Sequence, residues 1–171
     1  MKRLLLSLVI LCFGCVCFSR PSIAAERFGD PPMIYFESDV LVAFGKAIEK
    51  QKALVIIFVC SKDGRECPYC YQTKNTLRTE PFQKFTNDAI FVIATMNGET
   101  SNDQAAATLY KKLQVRSTVC ISFIHPRLDR IEEIARIQGY FEPDQLMKEM
   151  DRMITKTNAS IFASKLSGKS E

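Results

Sequence analysis

The feature that most constrains the fold is the run Ala53-Leu54-Val55-Ile56-Ile57-Phe58-Val59-Cys60. Successive side chains of a strand point to opposite sides, and here neither side is polar. A strand of this kind, rich in β-branched residues, has to be covered on both faces, as strands are in a sheet held between two helical layers. The rest of the chain must supply those layers.

It has the periodicity to do so. Val40, Leu41, Phe44, Ala47 and Ile48 share one face of a helix over residues 38–50, with Ser38 or Asp39 available as its cap. After the strand, residues 61–66 read as a polar loop that leads into Cys67-Pro68-Tyr69-Cys70 and a helix-compatible stretch to about Thr79; Pro81 opens a second helical piece. Residues 90–95 are a second buried strand, 97–102 a loop, and 103–113 a helix. Residues 119–124 and 131–137 flank a short turn at 125–129 and are expected to pair as an antiparallel hairpin. Gly139 breaks the chain before a last helix opened by Pro143, on which Leu146, Met147, Met150, Met153 and Ile154 line one face. With a short optional strand at Ile34-Tyr35-Phe36, the order is (β)αβαβαββα. That order specifies an α/β fold with a central mixed sheet and helices on both faces.

The two ends are expected to stand apart from this domain. Lys2 and Arg3 precede an apolar stretch over residues 4–18, followed by the small-residue end Ser22-Ile23-Ala24-Ala25. That is the order of a cleaved signal peptide, here residues 1–25. The apolar stretch is 15 residues long, short of the roughly 20 that a spanning helix needs. A lipid anchor on one of the nearby cysteines fits less well, because only Cys15 follows a small residue, Gly14. The domain then covers residues 26–156, and residues 157–171 are read as a polar, flexible tail.

Of 23 Lys and Arg against 19 Asp and Glu, three basic residues and no acidic one lie in residues 1–25. The remaining net charge is +1, with no basic run or basic-aromatic stripe, which argues against nucleic acid as a partner. The same division applies to the seven cysteines. Cys12, Cys15 and Cys17 belong to the leader, leaving Cys60, Cys67, Cys70 and Cys120. An exported chain, periplasmic or secreted, enters a compartment where disulfides persist.

Cys67 and Cys70 have the spacing of a working pair. At a helix N-terminus the sulfur of Cys67 would lie near unpaired backbone N–H groups and the positive end of the helix dipole, which favour the thiolate. Pro68 suits the first helical position, where a missing N–H is harmless. Cys70, one turn along, can close a disulfide on Cys67 and is expected to be the more buried sulfur. Thiol–disulfide exchange through such a pair needs no metal, nucleotide or other cofactor. Arg65 and Glu66 precede the motif and would tune Cys67 in opposite directions.

At this point the chain resembles the thioredoxin superfamily over roughly residues 33–156. The resemblance is carried by Cys67-Pro68-Tyr69-Cys70 between an apolar strand and a helix, within the βαβαββα order. With the leader, it looks most like the exported thioredoxin-like proteins that handle thiols in the bacterial envelope. It implies Cys67 as attacking and Cys70 as resolving sulfur, and a substrate platform made by Pro68, Tyr69, Thr118 and Val119. It also implies protein thiols or disulfides as substrates, a membrane thiol reductase as a possible electron donor, and a monomer. The reductase direction fits slightly better than the oxidase one.

Three departures from that family stand out. Glu66 occupies the usual Trp position before the first cysteine, and the chain contains no Trp at all. The buried acid of the family's central strand has no counterpart in residues 53–60. Val119 stands where the family has a cis-proline. A cis bond before a non-proline residue costs about 2.5–4 kcal/mol, so Thr118–Val119 is expected to be trans and the loop facing the dithiol to differ from the family's.

Plainer readings stand beside these. Cys67 and Cys70 could form a structural disulfide or half of a zinc site, although Cys60 and Cys120 do not make a second close pair. Cys60 and Cys120 read as small buried hydrophobes, with a second disulfide or relay left open. His125 reads as a turn residue, the methionines of the last helix as core, and Asn158-Ala159-Ser160 as a chance glycosylation triplet. The alternative function is a non-catalytic thioredoxin-fold module that uses its cysteines to hold a soft metal such as Cu(I) or docks on a partner protein.

Overall fold

The computed structural model describes residues 34–62 and 65–167, so the leader expected at residues 1–25 lies outside the described residues. In chain order the elements are β1 (Phe36–Glu37), α1 (Val40–Lys50), β2 (Ala53–Lys62), β3 (Arg65–Glu66), α2 (Pro68–Leu77), a 3-10 helix (Glu80–Asn87), β4 (Ala89–Met96), α3 (Gln104–Lys112), β5 (Cys120–Pro126), β6 (Ile131–Gln138) and α4 (Pro143–Ser167). The sheet is ordered β1-β4-β2-β5-β6. β1, β4 and β2 are parallel, and β5 runs antiparallel to both β2 and β6. This is the mixed α/β sheet that the element order specifies.

The apolar run of β2 is the centre of two cores. Val55, Ile57 and Val59 face one way and pack with Leu77 of α2 and with Leu146, Met150, Met153 and Ile154 of α4. Leu54, Ile56 and Phe58 face the other way, against Val40, Ala43 and Ala47 of α1 and Ala106 and Leu109 of α3. Burying each large member of this strand is worth about 1.5–3 kcal/mol, which explains why no polar residue interrupts it. The methionine stripe of α4 is core, as its spacing predicts.

Helix ends follow their capping residues. Asp39 accepts the N–H of Val42 at 2.9 Å and starts α1; Gln51 ends it in the left-handed region with φ 54°. Asp103 starts α3 by accepting the N–H of Ala106 at 3.0 Å.

Several expectations are corrected. Residues 61–66 are not simply a loop: β2 continues through Lys62 and pairs antiparallel with β3, Ser61 opposite Glu66. The tail expected to start at residue 157 is helical as far as Ser167. α4 runs on to Ser167 because this extension has a buried face: Thr157 and Ile161 lie in the interior. Asn158 accepts the Ala53 N–H at 3.0 Å and donates to the Asp88 carbonyl at 2.9 Å, tying α4 to the entries of β2 and β4. His125 is not in a turn but inside β5, buried against that same extension, with Nδ1 3.2 Å from Ser160 Oγ and Nε2 3.4 Å from Ser164 Oγ. The Thr118–Val119 peptide is cis, not trans. The local preference for trans yields to tertiary placement: the Val119 side chain is buried and its carbonyl accepts the Gly139 N–H at 2.8 Å.

Candidate active site

The exit of β2 and the entry of α2 are brought together by the β2–β3 hairpin. Cys60 lies near the end of β2. β3 (Arg65–Glu66) runs back antiparallel to the end of β2, so that the Cys67 N–H points at the Cys60 carbonyl, at 3.4 Å. Cys67 is the N-cap of α2, with extended φ −68° and ψ 147°, and its sulfur accepts the Cys70 N–H at 3.3 Å. A cysteine thus does what Ser or Asp does at other helix starts, placing its sulfur among unpaired N–H donors at the positive end of the helix. Pro68 is the first helical residue, where its fixed φ fits.

Cys67 and Cys70 are free thiols with their sulfurs 2.8 Å apart. Cys67 is half-buried and Cys70 wholly buried, which is the asymmetry expected of an attacking and a resolving sulfur. Burial, reinforced by the hydrogen bond with Cys67, pushes the Cys70 thiol up to about 12. Glu66, just before Cys67, is held 2.7 Å from Lys74 in the last turn of α2, so its charge beside Cys67 is partnered.

Cys60 belongs to the site. Its sulfur is 3.6 Å from that of Cys70, and its backbone N–H donates to Cys70 Sγ at 3.3 Å. Burial opposes ionisation of Cys60, but hydrogen bonds from Thr118, Cys67 and Cys70 outweigh it and hold its thiol below the ordinary value. Cys60, Cys67 and Cys70 place their sulfurs all within 4.8 Å of one another. Cys120, by contrast, is the buried hydrophobe that the sequence suggests. It lies in the core on the α1–α3 side, 3.8 Å from Ser122 Oγ, and burial raises its thiol.

The expected platform residues surround the thiols. Thr118 lies close enough to Cys60 to help hold its thiol down, and Val119 packs in the same core as Cys70. Pro68 and Tyr69 are exposed, and the Tyr69 ring lies 5.4 Å from that of Tyr140, which follows β6. Sequence reasoning missed Tyr140, and it weighed Cys60 as a buried hydrophobe with a second disulfide or relay only left open. A signal for Cys60 was present: it closes the apolar run at the carboxyl end of a parallel strand, where sites of open α/β sheets gather.

A half-buried and a buried cysteine at the start of the helix that follows the central strand, on a β1-β4-β2-β5-β6 sheet closed by an antiparallel hairpin, define a thioredoxin-like fold. Solved structures agree. A thioredoxin from Thermus thermophilus superposes with a TM-score of 0.57 at 22% identity, over 75% of this chain and 93% of its own. A DsbH oxidoreductase superposes with a TM-score of 0.58 at 16% identity, over 80% of this chain and 95% of its own. At these identities the likeness is one of fold. No family model matches the chain, and no curated protein matches it at a significant level. Among the described residues no helix is long and apolar enough to cross a membrane.

Proposed function

We propose that this protein is an exported thiol–disulfide oxidoreductase that works through Cys67 and Cys70, in the reductase direction. The observation that carries the reading is the dithiol itself: two free sulfurs 2.8 Å apart, one reachable at a helix cap and the other enclosed. The Cys67 thiolate attacks a disulfide R–S–S–R′, forming Cys67–S–S–R and releasing R′–S⁻. Cys70 then gives up its proton and attacks Cys67 Sγ, releasing R–S⁻ and closing the Cys67–Cys70 disulfide. Two electrons pass to the substrate, and a dithiol donor must return them. Export rests on the leader-like residues 1–25, and it sets the partners: protein thiols and disulfides of the envelope, with a membrane thiol reductase as donor, met by a monomer.

The test pairs Cys67→Ser with Cys70→Ser in an assay of protein disulfide reduction. Both should lose turnover, and Cys70→Ser should accumulate mixed disulfides through Cys67. Wild-type turnover in both variants would sink the reading. The midpoint potential of the Cys67–Cys70 couple reports the direction, a strongly reducing value supporting the reductase role.

A further inference from the structure

We infer that the reduced protein holds one soft monovalent cation, Cu(I), on the three sulfurs of Cys60, Cys67 and Cys70. The inference uses two cysteines of the proposed exchange reaction but does not rest on their redox role.

The arrangement of the sulfurs carries it. An internal disulfide relay would need Cys60 to approach Cys70 in line with the Cys67–Cys70 bond, because displacement at sulfur runs through a linear array. The sulfurs instead form a closed triangle: Cys60 to Cys70 is 3.6 Å, Cys67 to Cys70 is 2.8 Å, and the third side is no longer than 4.8 Å. The angle at Cys70 is therefore no larger than roughly a right angle. A triangle is poor for a relay and right for a shared ion. With metal–sulfur bonds of about 2.3 Å, as thiolates make to zinc, sulfurs around a planar three-coordinate ion lie about 4 Å apart. The 3.6 Å side is already near that spacing, and half-buried Cys67 at the helix cap can open the 2.8 Å one.

The surroundings complete such a site. Two backbone N–H groups already point at its sulfurs, Cys60 N–H at Cys70 Sγ and Cys70 N–H at Cys67 Sγ, each at 3.3 Å. Hydrogen bonds of this kind orient and stabilise ligating groups. Among the described residues no His, Asp or Glu joins the cluster, so the site offers three soft ligands and no fourth. Thiolates favour both Cu(I) and zinc, but structural zinc takes four ligands, so a set of three sulfurs suits Cu(I).

Each sulfur that bonds the ion gives up its proton to solvent, and the copper stays Cu(I). Closing the Cys67–Cys70 disulfide removes two of the three ligands. A substrate disulfide that takes those two electrons therefore releases the ion unchanged in valence. Metal capture and disulfide exchange exclude each other at this site.

The experiment titrates Cu(I), buffered by a chromophoric chelator, into anaerobic wild-type protein in its reduced and its disulfide forms, and into reduced Cys60→Ser. X-ray absorption then counts the sulfurs around the bound copper. One Cu(I) with three sulfurs is expected in the reduced wild type, and no stoichiometric binding in the disulfide form. Cys60→Ser should bind at least about tenfold more weakly, since loss of even an outer partner of a metal ligand costs about 10–100-fold. Two-sulfur coordination in the wild type, equal affinity in Cys60→Ser, retention of copper after oxidation, or displacement of Cu(I) by equimolar Zn(II) would each overturn the site. The disulfide form tests the idea even if Cys60→Ser folds poorly. Disulfide reduction by the metal-free wild type, measured separately, keeps the fate of the exchange reaction distinct from that of the metal site.

Discussion

Asp103 and Val40, 63 residues apart, are joined by one hydrogen bond: Asp103 Oδ2 accepts the Val40 N–H at 3.0 Å. The other oxygen of the same carboxylate accepts the Ala106 N–H at 3.0 Å, so one side chain caps both α1 and α3. Each helix start has orphan N–H groups that a carboxylate satisfies, and each cap is worth about 0.5–2 kcal/mol. Asp103→Ala should therefore lower the unfolding free energy by about 1–3 kcal/mol, read as a lower urea midpoint at unchanged slope. Asp103→Asn keeps one acceptor oxygen and should lose less. Equal midpoints for all three proteins would mean that the carboxylate caps neither helix.

The end of α4 is expected to be a structural element. Asn158→Ala removes the acceptor for Ala53 N–H and the donor to the Asp88 carbonyl, and should cost about 1–3 kcal/mol. Ending the chain at residue 156 also strips the buried Thr157 and Ile161 from the core, and should cost more. Denaturant unfolding of the two variants measures both, and a truncated protein as stable as the full chain would refute the role given to this segment.

His125 makes stability depend on pH. Burial holds its imidazole below the ordinary value of 6.5; Glu132 opposes this, while Arg127 and Arg130 add to it. Ser160 and Ser164 are its other polar neighbours, on α4. Above about pH 6.5 the ring is neutral in both folded and unfolded chains and the stability it allows is fully present. As the pH falls below that, the unfolded chain takes up a proton that the folded one resists, so stability declines toward the folded-state value. Thermal midpoints should fall between pH 7.5 and pH 5.5, and His125→Gln should flatten the slope. An unchanged slope in that variant would place the pH dependence elsewhere.

Tyr69 and Tyr140 form an aromatic rim beside the exposed end of the dithiol. If proteins are the substrates, Tyr69→Ala should raise KM for a protein disulfide by about 2–10-fold, the equivalent of a lost aromatic contact of about 0.5–1.5 kcal/mol. Turnover of a small aliphatic disulfide should change little. Equal effects on both substrates would point to distortion of the helix start, not to substrate contact.

Much of this molecule is legible residue by residue. The apolar run of β2, the spacing of the helical faces, the Ser38 or Asp39 cap, and the Cys67–Cys70 pair at a proline-opened helix are all statements about neighbours in the chain. Local sterics and hydrogen bonding are enough to set them. What sequence could not supply depends on residues that meet only after the layers pack. Cys60 joins the dithiol because a hairpin folds α2 back onto the end of β2. His125 finds Ser160 and Ser164 because α4 lies across β5. The polar stretch from Thr157 to Ser167 stays helical because Thr157, Asn158 and Ile161 have places to go, and Thr118–Val119 is cis in a loop placed by both β5 and β6. The sequence by itself determined the apolar strands, the helical faces and the Cys67–Cys70 spacing, since those follow from short-range periodicity and capping. Only the tertiary structure decided which third sulfur stands beside them, because side-chain proximity across ten or more residues is set by packing, not by pattern.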